Sequence, residues 1–145
     1  MSIRKLLARS ASSMSTWGLR HIARRPAANM PGKIALKLDP QIIAESMGKV
    51  TEGSIVVVGT NGKTTITNMI ADALERQGKT VACNRTGANL AYGVATTLLQ
   101  TKGSVEWGVF ESDELWLAHT LPQVQASYVL LLNLFRDQLD RCGEI

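Results

Sequence analysis

The segment of this chain best suited to chemistry is residues 54–65, where an apolar run ends in a loop bracketed by two glycines. Gly59 and Gly62 lack a Cβ, so a phosphate group can approach the backbone between them. Lys63 supplies a positive charge, and Thr64 offers a hydroxyl group to a magnesium ion. A helix that begins here also directs unpaired N–H groups at an anion. The segment therefore predicts a phosphate-binding loop.

The spacing of this loop differs from the usual phosphate-loop pattern, which is a glycine, four residues and then Gly-Lys-Ser or Gly-Lys-Thr. The residue five positions before Gly62 is Val57, so the chain has the shorter form Gly-x-x-Gly-Lys-Thr at 59–64. Gly-Lys-Thr alone also occurs in ordinary strand–turn–helix connections. The apolar run before this loop and the amphipathic helix after it favour phosphate binding.

The elements that must position the loop alternate between strands and helices. Apolar runs predict strands at 54–58, 79–83, 105–110 and 125–132. Apolar periodicity predicts a helix at 63–77 and a second one that runs from the polar turn 84–89 to residue 99. Such alternation is typical of an α/β fold with a mainly parallel sheet flanked by helices.

The residues before the first strand predict further helices. Residues 27–32 contain Pro31 and predict a linker, and a short helix is predicted from Asp39, as its N-cap, to Met47. We therefore expect a basic amphipathic helix with its linker at 1–30 and a phosphate-binding domain at 31–145.

Two other predicted strands also end in polar residues. Ligands of open α/β sheets lie at the carboxyl ends of the strands, so we expect Glu111, after the third strand, to be a magnesium ligand. Asp113 is expected to cap a following helix, and a solvated acidic loop is the alternative. The fourth strand leads into a candidate further site, formed by Asn133, Arg136, Asp137 and Gln138. A charged helix start is the alternative for that segment.

The positive charge of the chain is confined to its first part. The net charge is +4, yet the first 38 residues carry eight lysines and arginines and no acidic residue. The rest has eight basic and twelve acidic residues, so we expect no nucleic-acid partner. Cys83 and Cys142 lack a metal-binding spacing, and we expect a reducing, cytoplasmic location. No apolar run reaches the roughly 18 residues of a transmembrane helix.

The basic N-terminal helix has three interpretations, which the sequence leaves open. It is rich in arginine and serine and free of acid, as mitochondrial transit peptides are. It would also suit peripheral contact with an anionic membrane, at its inner face for a cytoplasmic protein. The simplest interpretation is a helix packed on the domain with its basic face in water.

Several of these motifs together resemble those of the Mur ligase family. The resemblance rests on Gly59-Thr60-Asn61-Gly62-Lys63-Thr64-Thr65, Asn89, Glu111-Ser112-Asp113-Glu114 and the segment 133–141. The short glycine loop is the family's own form. Within the family the chain looks most similar to the MurT branch, the Mur-ligase-like subunit of lipid II isoglutaminyl synthase. That similarity rests on the basic N-terminal helix, the segments 31–35 and 133–141, and the lack of a preceding UDP-binding domain.

The resemblance implies an ATP-dependent ligase that converts a carboxylate into an acyl phosphate, which an amine then attacks. It implies ATP binding by Gly59, Thr60, Asn61, Gly62, Lys63, Thr64, Thr65 and Asn89. It also implies Mg²⁺ at Thr64 and Glu111, with catalytic roles for Lys63 and Glu111. Gln138 stands where amino-acid-adding members usually have a histidine that helps hold a second magnesium ion, and its neutral amide counts against such a site.

For the MurT branch the resemblance implies amidation of the D-glutamate α-carboxylate of lipid II to D-isoglutamine, in peptidoglycan synthesis. The ammonia would come from a GatD-like glutaminase subunit in a heterodimer. Members continue with the rest of the central domain, often with a four-cysteine zinc ribbon, and with a C-terminal domain that closes over ATP. We therefore expect an N-terminal fragment or truncated product, inactive alone.

Two alternatives remain for the function. One is another ligase of the family, such as a folylpolyglutamate-type enzyme. The other is a truncated, non-catalytic partner protein that binds a nucleotide.

Overall fold

The structure is a computed structural model, and it describes residue 7, residues 10–15 and residues 29–134. Residues 10–15 are helical. The expectations for the remainder of the N-terminal helix, and those for Arg136, Asp137 and Gln138, lie outside the described residues.

The centre of the fold is a parallel sheet. Its strands are β1 (Val50–Val58), β2 (Val81–Cys83), β3 (Val105–Glu111) and β4 (Tyr128–Leu131), in the order β2-β3-β1-β4. Each neighbouring pair is parallel, which confirms the predicted α/β fold. β1 begins before the predicted residue 54, because its pairing with β3 continues back to Val50 across a register shift between Val50 and Gly53. The residues in that stretch do not form an apolar run, so the sequence pattern did not predict it.

The helices of the described part are α1 (Met30–Leu38), α2 (Ile42–Ser46), α3 (Lys63–Arg76), α4 (Ala91–Gln100) and α5 (Leu117–Val124). Short 3₁₀ turns lie at Met47–Lys49 and Glu114–Trp116. α3 and α4 correspond to the two helices predicted from apolar periodicity. α3 ends shortly before Gly78, whose φ of 81° suits a glycine that follows a helix.

The predicted linker at 27–32 is wrong for its last residues, which belong to α1. Pro31 stands in the first turn of that helix, where its missing N–H is not needed. Gly32 lies against α4, and its N–H donates a hydrogen bond to Thr96 Oγ1 at 2.8 Å. A Cβ on Gly32 would come within 1.9 Å of the Tyr92 carbonyl oxygen, so the close approach of α1 and α4 requires glycine.

The predicted capping role of Asp39 is also wrong. α2 begins at Ile42, and its N-cap residue is Gln41. The Asp39 carboxylate instead accepts a hydrogen bond from the Gln41 N–H at 3.1 Å, within the turn that precedes the helix. A short polar side chain that bonds its own backbone favours such a turn over the helix start itself.

Helices cover both faces of the inner strands. α3 packs on one face, against β1, β2 and β3. On the other face, Val56 and Val58 of β1 belong to a buried apolar cluster. Its other members come from the helices and from β3 and include Ala35, Ile42, Val94, Leu98, Phe110 and Val124. Val57 is fully buried as well, and strand alternation places its side chain on the α3 side. The loop that follows β1 therefore starts from a rigid position.

β4 is different, although its sequence is equally apolar. It pairs with β1, and all four of its residues are exposed, with Tyr128 at 63% and Leu131 at 65%. A continuous apolar run would suit a strand buried on both faces.

No helix in the described part of the chain combines the length and the apolar character that spanning a membrane would need.

Candidate functional site

The strand register brings together residues that are far apart in the sequence. β1 pairs with β3 so that Val57 lies beside Glu111, and with β4 so that Val58 lies beside Leu131. Parallel strands present their carboxyl ends at the same edge of the sheet, where ligands of α/β folds bind. The glycine loop is consequently flanked by Glu111 on one side and by Asn133 on the other.

The loop between β1 and α3 depends on its two glycines. Gly59 has a φ of 148° and Gly62 has a φ of 86°, which other residues rarely adopt. A Cβ on Gly59 would also lie 3.1 Å from the Asn133 carbonyl oxygen. Gly62 is the N-cap residue of α3, so the first N–H groups of that helix face the loop without intrahelical partners.

Asn133 holds the loop in place. Its Nδ2 donates to the Asn61 carbonyl at 3.0 Å, and its Oδ1 accepts from the Asn61 N–H at 3.0 Å. The Thr60 N–H donates to the Asn133 carbonyl at 3.2 Å. The oxygen and the nitrogen of the side-chain amide are thus both bonded to the Asn61 backbone. Asn133 is also the member of the predicted further site that the structure describes.

Lys63 is folded over its own loop and is only 8% exposed. Its ammonium group donates to the Gly59 carbonyl and, at 3.3 Å, to the Thr60 carbonyl. Glu114 Oε1 lies 3.7 Å from Nζ, which is close enough for an ion pair but too long for a hydrogen bond. The Lys63 ammonium group therefore has neutral partners at short range and an anion at longer range. Such an arrangement suits an exchange of its carbonyl partners for an anionic ligand.

Glu111 ends β3 and is 1% exposed. One of its oxygens accepts a hydrogen bond from the Thr64 hydroxyl, and Oε2 has no hydrogen-bond partner in the described part of the chain. Burial raises the pKa of this carboxyl group, while the Thr64 hydrogen bond and the charge of Lys63 act to lower it. A buried carboxylate oxygen without a partner is a costly arrangement that a bound cation would relieve.

Asn84 and Gly87 shape the surroundings of Glu111, although the sequence pattern did not single them out. Asn84 Oδ1 accepts from the Glu111 N–H at 2.9 Å, and Nδ2 donates to the Glu111 carbonyl at 3.0 Å. A Cβ on Gly87 would stand 3.4 Å from Thr64 Oγ1. Both residues belong to the polar turn 84–89, which the sequence predicts only as a turn. The packing of that turn against β3 follows from the fold.

Asp113 caps the turn after β3, as predicted. Its carboxylate accepts from the Leu115 N–H at 3.1 Å, and its own N–H donates to the Asn89 carbonyl at 2.8 Å. The polar turn after β2 is thereby connected to the acidic segment after β3.

Other polar groups near this edge have structural explanations. Arg85 forms ion pairs with Asp72, at 2.6 Å between Nη1 and Oδ1, and with Glu75, at 2.8 Å between Nη2 and Oε2. These ion pairs connect the turn after β2 to α3. Burial raises the pKa of the Cys83 thiol to about 12, so this thiol is protonated at neutral pH and a poor nucleophile.

A concavity of about 350 Å³ lies above the loop, and it is lined by Thr60, Asn61, Gly62, Lys63, Thr64, Thr65 and Asn89. These are the residues predicted to contact a nucleotide, together with Gly59 at the base of the loop. A second concavity of about 440 Å³ lies at the opposite end of the sheet, around the start of β1. Its charged lining residue is the exposed Glu52, so the smaller concavity, with a buried cation, is the better candidate site.

Comparison with known families provides an independent finding. The sequence model of the Mur ligase middle domain matches residues 57–145. The chain belongs to the Mur ligase family. In this Mur ligase chain the matched region begins within β1 and contains the glycine loop, Glu111 and Asn133. The loop spacing that departs from the usual phosphate-loop pattern is thus part of the family's own domain.

Curated relatives of this Mur ligase chain include two MurT subunits of lipid II isoglutaminyl synthase (glutamine-hydrolyzing). The protein from Streptococcus pneumoniae (strain ATCC BAA-255 / R6) is 37% identical over 148 residues, covering 100% of this chain and 32% of the relative. The protein from Staphylococcus aureus (strain COL) is 34% identical over 143 residues, covering 91% of this chain and 32% of the relative. The chain thus spans about a third of the length of these relatives.

A solved structure supports the fold. MurF from Acinetobacter baumannii superposes with a TM-score of 0.64 at 23% sequence identity, covering 77% of this chain and 25% of MurF. The parallel sheet with flanking helices is therefore the fold of a Mur ligase middle domain.

Proposed function

We propose that the carboxyl edge of the sheet binds ATP, and that the protein carrying this chain uses it to activate a carboxylate. The observation that carries the proposal is the buried pair of opposite charges on either side of Thr64. Lys63 at the start of α3 is the cation, and Glu111, whose Oε2 has no hydrogen-bond partner in the described part of the chain, is the anion. Enzymes that transfer a phosphoryl group need a cation on the phosphates and a carboxylate for the metal ion. Membership of the Mur ligase family supports ATP as the nucleotide.

The residues present fit a magnesium ion. Glu111 Oε2 lacks a partner, the Thr64 hydroxyl contacts the same carboxylate, and Gly87 leaves open the space that a Cβ would occupy. Magnesium takes oxygen ligands and keeps several waters, so two protein ligands are sufficient. We propose that Thr64 and Glu111 hold the ion, which would supply positive charge to the phosphates.

The residues of this chain would bind and orient the nucleotide. The backbone from Gly59 to Gly62 and the first N–H groups of α3 would hold the β- and γ-phosphates. Lys63 would turn from its carbonyl partners to a phosphate oxygen. Thr60, Asn61, Thr65 and Asn89 line the concavity and would complete the contacts. Catalysis would come mainly from neutralising charge while the γ-phosphoryl group passes to the carboxylate.

The names of the curated relatives support a specific substrate. We propose amidation of the D-glutamate α-carboxylate of lipid II, because the relatives named above are subunits of lipid II isoglutaminyl synthase (glutamine-hydrolyzing). The carboxylate would attack the γ-phosphorus of ATP, so that the bond to the β-phosphate breaks, ADP leaves and an acyl phosphate forms. Ammonia from a GatD-like glutaminase subunit would then displace inorganic phosphate and form the amide. The basic N-terminal segment would suit a substrate that lies in an anionic membrane.

Reconstitution tests this proposal. The gene product that contains this chain is combined with a glutaminase subunit, ATP, Mg²⁺, glutamine and lipid II, and the lipid is analysed by mass spectrometry. Amidated lipid II is expected with the wild-type protein and not with Lys63→Ala. Nucleotide binding without amidation would contradict the ligase proposal and support the alternative of a non-catalytic nucleotide-binding partner.

A further inference from the structure

Glu114 is a carboxylate beside the loop that the proposed reaction does not use. Its side chain is 21% exposed, and its Oε1 atom is buried without a hydrogen-bond partner in the described part of the chain. That atom lies 3.7 Å from Lys63 Nζ. A carboxylate at this position repels a phosphate that approaches the same ammonium group, so its presence needs a physical explanation.

The backbone around Glu114 is well anchored. Asp113 caps the turn through the Leu115 N–H and is itself bonded to the Asn89 carbonyl, and the Trp116 N–H closes the turn on the Asp113 carbonyl at 3.1 Å. Glu114 is therefore held at the loop by the fold, on the same side of the site as Glu111.

We propose that Glu114 makes nucleotide binding at this site dependent on a divalent cation. Without a metal ion, Glu114 competes with the phosphates for Lys63, and together with Glu111 it repels a polyphosphate. A metal-bound nucleotide carries less negative charge, so it takes over the lysine at a smaller electrostatic cost. Glu114 is thus a positioning residue that acts through Lys63 and selects the metal–nucleotide complex. This inference rests on the nucleotide site proposed above.

The test compares the affinity for a nucleotide with and without magnesium. The purified chain is titrated with the fluorescent nucleotide N-methylanthraniloyl-ADP, once in EDTA and once in Mg²⁺. For Glu114→Gln, the affinity in EDTA is expected to rise about tenfold, as loss of one nearby negative charge predicts. The affinity in Mg²⁺ is expected to stay close to that of the wild type. The preference for the metal complex therefore falls.

Three further variants make the outcome decisive. Glu52→Gln removes a carboxylate at the opposite end of the sheet and should leave both affinities unchanged. Glu114→Ala, which leaves no amide to be buried, should reproduce the shift if Glu114→Gln does not fold. An unchanged preference in a folded Glu114 variant, with binding abolished by Lys63→Ala, would overturn the role of Glu114 alone. A Lys63→Ala protein that binds as the wild type does would overturn the nucleotide site itself.

Discussion

A lysine flanked by glutamates lies at each end of the parallel sheet, and the two arrangements differ in how completely their charges are paired. At the amino end, Lys79 Nζ lies 2.7 Å from Glu52 and 2.9 Å from Glu106. At the carboxyl end, Lys63 Nζ lies 3.7 Å from Glu114. The partly exposed Lys79 has two close anions, whereas the nearest anion to the buried Lys63 in the described part of the chain lies 3.7 Å away.

The same contrast holds for the carboxylates. Glu106 accepts a hydrogen bond from the Thr80 N–H at 2.8 Å in addition to its contact with the lysine. Glu111 Oε2 and Glu114 Oε1 are buried and lack hydrogen-bond partners in the described part of the chain. If stability alone mattered, the buried carboxylates would be the fully paired ones, because an unpaired polar group costs more free energy when it is buried. The paired charges at the amino end therefore help to hold the strands together, and we propose that the incompletely paired charges at the carboxyl end serve a ligand.

The largest expected difference between the two ends is in nucleotide affinity. Lys63→Ala should lower the affinity for Mg²⁺-ATP about 100-fold, because charge-assisted contacts to phosphate are lost. Lys79→Ala is the matched control and should leave the affinity unchanged. Titration with a fluorescent ATP analogue measures both. Equal losses in the two variants would show that they act through general destabilisation.

A smaller effect is expected from Asn133→Ala, which leaves all charges in place. It removes the two hydrogen bonds to the Asn61 backbone and should weaken nucleotide binding about tenfold through a less ordered loop. Asn68→Ala removes a single amide contact, to the Arg85 carbonyl at 3.3 Å, and serves as the control. The idea that Asn133 positions the loop is wrong if both variants bind alike.

Glu111→Gln should change the stability of the fold and the affinity for a nucleotide in opposite directions. The variant removes a buried charge with an unpartnered oxygen, so the free energy of unfolding should rise by about 1 kcal/mol. Its magnesium-dependent nucleotide affinity should fall at the same time. Urea denaturation at pH 7 and nucleotide titration measure the two quantities. A loss of stability would indicate that the Glu111 carboxylate is better paired than its contacts suggest.

The smallest effect is a pH dependence at the amino end. The Thr80 N–H and the Lys79 ammonium group lower the pKa of Glu106 from 4.5 to about 2. Because the folded pKa is the lower one, the stability that this group contributes is present above pH 4.5 and is lost as the pH falls toward 2. Glu106→Gln should flatten that part of the curve in urea unfolding between pH 5 and about 2.5. A variant as acid-sensitive as the wild type would contradict the pairing.

The sequence was a good guide wherever the signal was local. The apolar run before the loop and the periodicity of α3 predicted a strand, a turn and a helix in the right places, and the residue type at Asp113 predicted its cap. The start of β1, the first turn of α1 and the start of α2 were missed. At β1 and α1, polar, proline or glycine residues weaken the local pattern, and pairing or packing with a distant segment decides the structure. At α2, the Asp39 side chain bonds the Gln41 backbone in a local turn, so the helix begins later than the residue types predict.

Within the candidate site, the sequence identified groups but not their partners. Glu111 was chosen because it follows a strand, yet its neighbours Asn84 and Gly87 come from another turn. Asn133 was predicted to belong to a further site, and the structure adds two hydrogen bonds from its amide to the Asn61 backbone that the sequence did not indicate. Such contacts depend on strand order and register, which local residue patterns do not specify.

What the sequence by itself determined is the chemistry of the loop, because glycines, a lysine and a threonine at this spacing act through their own conformational and charge properties. It also determined the alternation of strands and helices. Only the tertiary structure decided how each group is used. The apolar runs of β1 and β4 are similar, but β1 is buried and β4 is exposed. Lys79 and Lys63 carry the same charge, but only the second is buried among incompletely paired carboxylates. Burial and partners are properties of the neighbours that the fold supplies, and they determine what a side chain costs and what it can bind.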